Sequence, residues 1–236
     1  MKSDFQAWFM SLCCGSLLTL TSCQRNMNIS NINLGNVQVE QNVNNLYRGT
    51  GSQIIVFGDS ITAGAGIGTE LAYPRILSHT LGLPILNKGR NGDTTVTALN
   101  RLQQDVISQD PWLVIVALGG NDFLQEVSLA KTEQNLRQIV TLLQKEGAIV
   151  VVLGMNVKPF NGDYEKMYER VANDTKAYLI PEVLTDLNDP RYLYDEIHPN
   201  QQGHRIIANR IAQRLNPLLE ETTLPPNLSK LQQSRD

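Results

Sequence analysis

Gln53-Ile54-Ile55-Val56-Phe57-Gly58-Asp59-Ser60 sets an apolar, β-branched run directly against a polar turn that carries a serine. A run of that length and composition reads as a buried strand. Further runs of the same kind lie at 112–118, 148–153 and, more weakly, 177–180, with a short candidate at 84–87. Helical patterns separate them. The clearest covers 129–146, with Leu129, Leu136, Ile139, Val140 and Leu143 on one face and Gly147 as a stop signal. Strands that alternate with helices form a parallel sheet, and such sheets bind ligands beyond the carboxyl ends of their strands.

That edge is where the unusual polar clusters fall. Gly58-Asp59-Ser60 follows the first strand, Asn91-Gly92-Asp93-Thr94 the second and Gly119-Gly120-Asn121-Asp122 the third. Asp195-Glu196-Ile197-His198-Pro199 precedes the last helix, which Pro199 is expected to open as its first residue. Ser60, His198 and Asp195 supply a hydroxyl, an imidazole and a carboxylate, the parts needed for nucleophilic acyl transfer. Taken singly, Ser60 reads as a turn or capping serine, and Gly92 and Asn121 as loop residues. Their convergence on one sheet edge favours catalysis. Asp59 and Asp122 are assigned structural roles, and His79 and His204 read as ordinary surface or partly packed residues.

The segments GDSITAG around Ser60, NGDT around Gly92, LGGND around Asn121 and DEIHPN around His198 resemble the four motif blocks of the SGNH (GDSL-type) hydrolases. Within that superfamily the chain is most similar to the bacterial periplasmic group described as arylesterase, lysophospholipase and acyl-CoA thioesterase. The likeness spans roughly residues 53–218. It implies an α/β, flavodoxin-like three-layer sandwich with a central parallel sheet of about five strands. It also implies a serine esterase acting on fatty acyl esters or thioesters through an acyl-enzyme, with no metal or organic cofactor. Ser60 would be the nucleophile, His198 the general base and then acid, and Asp195 the group that orients His198. The oxyanion donors would be the backbone N–H groups of Ser60 and Gly92 and the side-chain amide of Asn121. Glycine suits position 92, because a backbone donor must approach the substrate without a Cβ in the way.

Other chemistries lack their signatures. There is no G-x-S-x-G around Ser60, and the glycines at 64, 66 and 68 fit neither G-x-G-x-x-G nor a P-loop. No C-x-x-C pair or H-E-x-x-H helix proposes a metal. A formal charge of −3 with scattered Lys and Arg gives no basic face for nucleic acid.

The start of the chain reads as an address. Residues 5–20 are mostly apolar, too short to span a bilayer comfortably, and Leu20-Thr21-Ser22-Cys23 resembles the bacterial lipobox. The expected organisation is a lipoprotein-type signal peptide at 1–22, lipid attachment at Cys23, an Asn-rich tether over 23–51, the hydrolase domain at 52–218 and a flexible tail at 219–236. Such a protein would be exported and held by its N-terminal lipid on the periplasmic face of the envelope, at the outer membrane because Gln24 follows the cysteine. Its partner would be a small-molecule or lipid ester. Rival readings are a carbohydrate O-deacetylase of the same superfamily, separable by acyl-chain and acetyl-glycan series, and a silent acyl-binding lipoprotein, separable by fluorophosphonate labelling of Ser60.

Overall fold

A computed structural model of the chain describes residues 42–155 and 162–233. Cys23, the leader at 1–22 and the first part of the expected tether lie outside the described residues. So do residues 156–161.

Five strands form one all-parallel sheet: β1 (Gln53–Gly58), β2 (Ile85–Gly89), β3 (Pro111–Ala117), β4 (Ile149–Leu153) and β5 (Tyr178–Ile180). Their spatial order is β2-β1-β3-β4-β5. This is the doubly wound, flavodoxin-like order, with its switch point between β1 and β3. The expected runs are all strands, shifted by one or two residues at their ends. β3 and β4 are buried at every residue, as a sheet covered on both faces requires.

The covering helices are α1 (Ser60–Ala63), α2 (Tyr73–Leu81), α3 (Thr95–Asp105), α4 (Gly120–Leu124), α5 (Leu129–Lys145), α6 (Gly162–Thr175), α7 (Gln201–Glu221) and α8 (Pro226–Gln233). They pack in two groups, α2 against α7, and α3 against α5 against α6. Along α5, Leu136, Ile139, Val140 and Leu143 are buried and Leu129 is half-buried, as the spacing predicts, and Gly147 ends the helix region at φ +89°.

Two boundaries differ from the sequence expectation. The tether ends before position 51, because Val43 and Leu46 belong to the core. Its asparagines do not merely face solvent. Asn44 Nδ2 donates to Thr175 O at 3.0 Å at the end of α6, and Asn45 Nδ2 donates to Gln144 O and Ala148 O, both at 2.9 Å, near the end of α5. Thr175 O and Gln144 O belong to the last turns of α6 and α5, where carbonyls lack the next helical N–H, and Ala148 O lies in the turn that leads to β4. The tail is likewise folded through residue 233. Pro226 opens α8, Leu228 is fully buried, and Asn227 Nδ2 donates to Ser52 O at 2.9 Å.

Candidate active site

All four motif clusters lie at the carboxyl edge of the sheet. Asp59 ends β1 by capping α1, its Oδ1 accepting from Ile61 N at 3.0 Å, and this turn presents Ser60 as the first helical residue. The Ser60 Oγ sits 2.9 Å from His198 Nε2, and His198 Nδ1 sits 2.8 Å from Asp195 Oδ2. Three residues separated by up to 138 positions therefore form one hydrogen-bonded chain.

The segment carrying Asp195 and His198 is a small loop closed at its neck. Tyr194 N donates to His198 O at 2.8 Å, Asn200 N donates to Tyr192 O at 2.7 Å, and Leu193 and Pro199 form an antiparallel bridge. Inside it, Asp195 Oδ1 accepts from Ile197 N (2.9 Å) and His198 N (2.8 Å), leaving Oδ2 for the imidazole. These backbone donors, together with His198, hold the Asp195 carboxyl down at about 2. An ionised Asp195 keeps the proton on Nδ1, so Nε2 faces Ser60 as an acceptor. Pro199 is not the first residue of α7, contrary to the expectation. Asn200 is the N-cap, its Oδ1 accepting from Gln202 N and Gly203 N, while Pro199 is kept for the bridge. Gly203 lets α7 approach the loop, since a Cβ there would lie 2.6 Å from Tyr192 O.

Across the cleft, Asn121 Nδ2 donates one hydrogen to Asp93 O at 3.0 Å, which leaves the second N–H of the amide available. Gln125 Nε2 donates to Gly92 O at 3.3 Å, so α4 holds the loop after β2 at two successive carbonyls. Gly92 sits at φ +79°, a conformation that favours glycine, and a Cβ there would meet no described protein atom within 4 Å. Asp122, next to Asn121, is fully buried and bonded, with Oδ2 accepting from Thr95 N (2.8 Å) and Oδ1 from the hydroxyls of Thr95 (2.5 Å) and Thr132 (3.3 Å). Asn135 Nδ2 completes this network on Thr95 Oγ1 at 2.9 Å.

Ser60, Asn121 and His198 border one open cleft. Its walls are chiefly apolar, with Ile61, Phe123, Met155, Leu184, Leu187 and Leu193 among them. Gly92 stands next to Asp93, whose carbonyl receives Asn121. The sequence reading missed the leucines after β5. Their only signal is the apolar spacing of Val183, Leu184 and Leu187 in a stretch with no strand or helix pattern. Asp59 is buried beside Ser60, and desolvation pushes its carboxyl up to about 7. His79 is exposed. His204 is not the surface or partly packed residue expected: it is fully buried, its Nδ1 accepts from Tyr73 N at 3.1 Å and its Nε2 has no hydrogen-bond partner among the described residues. Burial pulls its pKa down to about 4. Among the described residues no group of three or more His, Cys, Asp or Glu could hold a metal ion.

The chain is similar to known proteins in sequence and in fold. Residues 56–206 match the model of the GDSL-like Lipase/Acylhydrolase family. The chain is 30% identical to Esterase TesA of Pseudomonas aeruginosa over 178 residues, covering 70% of this chain and 89% of that protein. It is 28% identical to Thioesterase 1/protease 1/lysophospholipase L1 of Escherichia coli (70% and 84% covered) and 28% identical to Acetylxylan esterase of Geobacillus stearothermophilus (68% and 92% covered). A crystal structure of TesA superposes with a TM-score of 0.67 at 29% identity, over 71% of this chain and 99% of that one.

Proposed function

Because this chain belongs to the GDSL-like lipase/acylhydrolase family, and so is an ester-hydrolysing enzyme of the SGNH type, we propose that it cleaves esters or thioesters of fatty acids through an acyl-enzyme on Ser60. His198 Nε2 takes the Ser60 proton as Oγ attacks the acyl carbonyl, and Asp195 stabilises the imidazolium. The carbonyl oxygen becomes an oxyanion held by the N–H groups of Ser60 and Gly92 and the free N–H of Asn121. His198 then protonates the leaving oxygen or sulfur. A water, deprotonated by His198, attacks the acyl-enzyme, and its collapse returns the proton to Ser60 and releases the acid. The observation that carries the reading is the 2.9 Å and 2.8 Å chain from Ser60 through His198 to Asp195.

The apolar cleft walls support a fatty acyl substrate. Burying a methylene against Leu184, Leu187 and Met155 gains about 0.8 kcal/mol, so kcat/KM should climb with acyl length until the cleft is filled. An acetylated glycan, by contrast, would leave those side chains uncovered, although the acetylxylan esterase relative keeps that reading in view. Turnover of p-nitrophenyl esters from acetyl to palmitoyl, beside acetylated xylan, tests the choice. A rise of about fivefold or more from acetyl to hexanoyl supports the acyl reading. Best activity on acetylated xylan would favour the deacetylase.

The location is proposed on the Leu20-Thr21-Ser22-Cys23 motif alone: cleavage before Cys23, acylation of its sulfur and retention at the periplasmic face of the outer membrane. Palmitate labelling that is lost in Cys23→Ser supports it. A wholly soluble, unlabelled mature protein would leave an exported esterase without an anchor.

A further inference from the structure

Arg101, on α3, borders no part of the cleft and is only 6% exposed. Its guanidinium nevertheless touches the ends of two strands that lead into the site, β1 and β2. Nε donates to Asp93 Oδ2 at 2.5 Å, and Nη1 to Asp105 Oδ2 at 3.1 Å. Nη2 donates to Gly58 O at 3.1 Å and Lys88 O at 2.9 Å, the carbonyls at the ends of β1 and β2. The plane also lies over the Phe57 ring, 4.3 Å from its centroid. Gly58 stands two residues before Ser60, and Asp93 follows Gly92 directly while its carbonyl accepts from Asn121.

We propose that Arg101 is a positioning residue of the oxyanion hole: one forked cation fixes Asp93, and through Asp93 sets the placement of Gly92 N–H and the Asn121 amide relative to Ser60. This rests on the oxyanion reading given above. Stability alone gives little reason for the arrangement, because a buried ion pair recovers its desolvation cost only with excellent geometry, and apolar residues of like volume often serve as well. Geometry does give a reason. Only arginine offers enough coplanar N–H donors to reach a carboxylate and two carbonyls on separate strands at once. Lysine at 101 would place a single ammonium and lose the fork.

Arg101→Met keeps the packing on Phe57 and deletes the fork. It should lower kcat on an aryl ester about 10- to 100-fold, with KM changed by no more than about threefold, because the donors act mainly once charge has moved onto oxygen. Arg101→Lys should fall between wild type and Arg101→Met, and it serves alone if the methionine variant does not fold. Combined with Asn121→Ala, Arg101→Met should cost clearly less than it does in the wild-type background, because part of what it positions is already gone. Near wild-type kcat in a folded Arg101 variant, or a double variant showing the full product of the two losses, would overturn the inference. Ser60→Ala is run in the same series: if it stays active the nucleophile assignment fails, whereas if it is silent and Arg101→Met and Arg101→Lys are unimpaired, only the Arg101 inference fails.

Discussion

The two sides of the cleft are built differently. The wall carrying Ser60, Asp93, Asn121 and Asp122 is mostly buried, with Asn121 half-buried, and is cross-linked by bonds between α3, α4, α5 and the ends of β1 and β2. The wall carrying Asp195 and His198 is an exposed loop, with Asp195 44% and His198 20% exposed at their side chains, held by its own turn and its neck. Donors for a developing charge gain from a fixed, dry setting that needs no reorganisation. A base that exchanges protons with leaving group and water must meet solvent. In the proposed mechanism, oxyanion stabilisation falls to the rigid wall and proton transfer to the loop.

The largest expected effect comes from cutting the link between the walls. Ser60→Ala and His198→Ala should each lower kcat by about 10⁴–10⁶-fold, and together no further, because they act as a unit. Multiplying losses in steady-state assays of the double variant would break the link. On the loop, Asp195→Asn should cost about 10³–10⁴-fold. The asparagine carbonyl can still accept from Ile197 N and His198 N, so the turn survives, but its amide now donates toward Nδ1 and forces the wrong tautomer. Thermal unfolding should therefore move little while kcat collapses. A large drop in Tm would mean that the loop is a structural element after all.

On the rigid wall, Asn121→Ala should reduce kcat about 10²–10³-fold with a smaller change in KM. An effect confined to KM would remove Asn121 from the oxyanion site.

Much of this division is legible in the sequence, for a physical reason. Strand runs and the turns after them are local patterns, so residues 53–60 and 119–122 announce both a strand end and its polar cargo. Asp195 and His198 fall on one turn and are read together. What escapes depends on partners far along the chain. Asn44 and Asn45 look like solvated tether until the ends of α5 and α6 arrive beside them. Leu228 looks like tail until it meets the core, and His204 carries no motif to reveal that it packs against Tyr73. Arg101 has the same character, since its partners at 58, 88, 93 and 105 converge only in the fold.

The smallest expected effect is on stability and comes from charges confined in the buried interior. His204 is harder to protonate folded (about 4) than unfolded (6.5), so its contribution is full above pH 6.5 and is lost as pH falls toward 4. Asp59 holds its proton more tightly folded (about 7) than unfolded (3.8), so its contribution is full below pH 3.8 and is lost as pH rises toward 7. Between pH 4.5 and 6.5 the two slopes oppose each other. Wild-type stability from urea unfolding should be nearly flat there, whereas Asp59→Asn, which keeps the cap on Ile61, should lose about 2 kcal/mol on going from pH 6.5 to 4.5. An identical, flat profile in Asp59→Asn would contradict the assignment of these buried groups.

If both walls act on an acyl group carried by Ser60, that acyl-enzyme can be trapped. Wild-type enzyme mixed with excess p-nitrophenyl hexanoate and quenched in acid within milliseconds should show, by mass spectrometry of its peptides, the added acyl mass on the peptide containing Ser60. The adduct should be absent in Ser60→Ala. An adduct on another residue, or continued turnover by folded Ser60→Ala, would contradict the account.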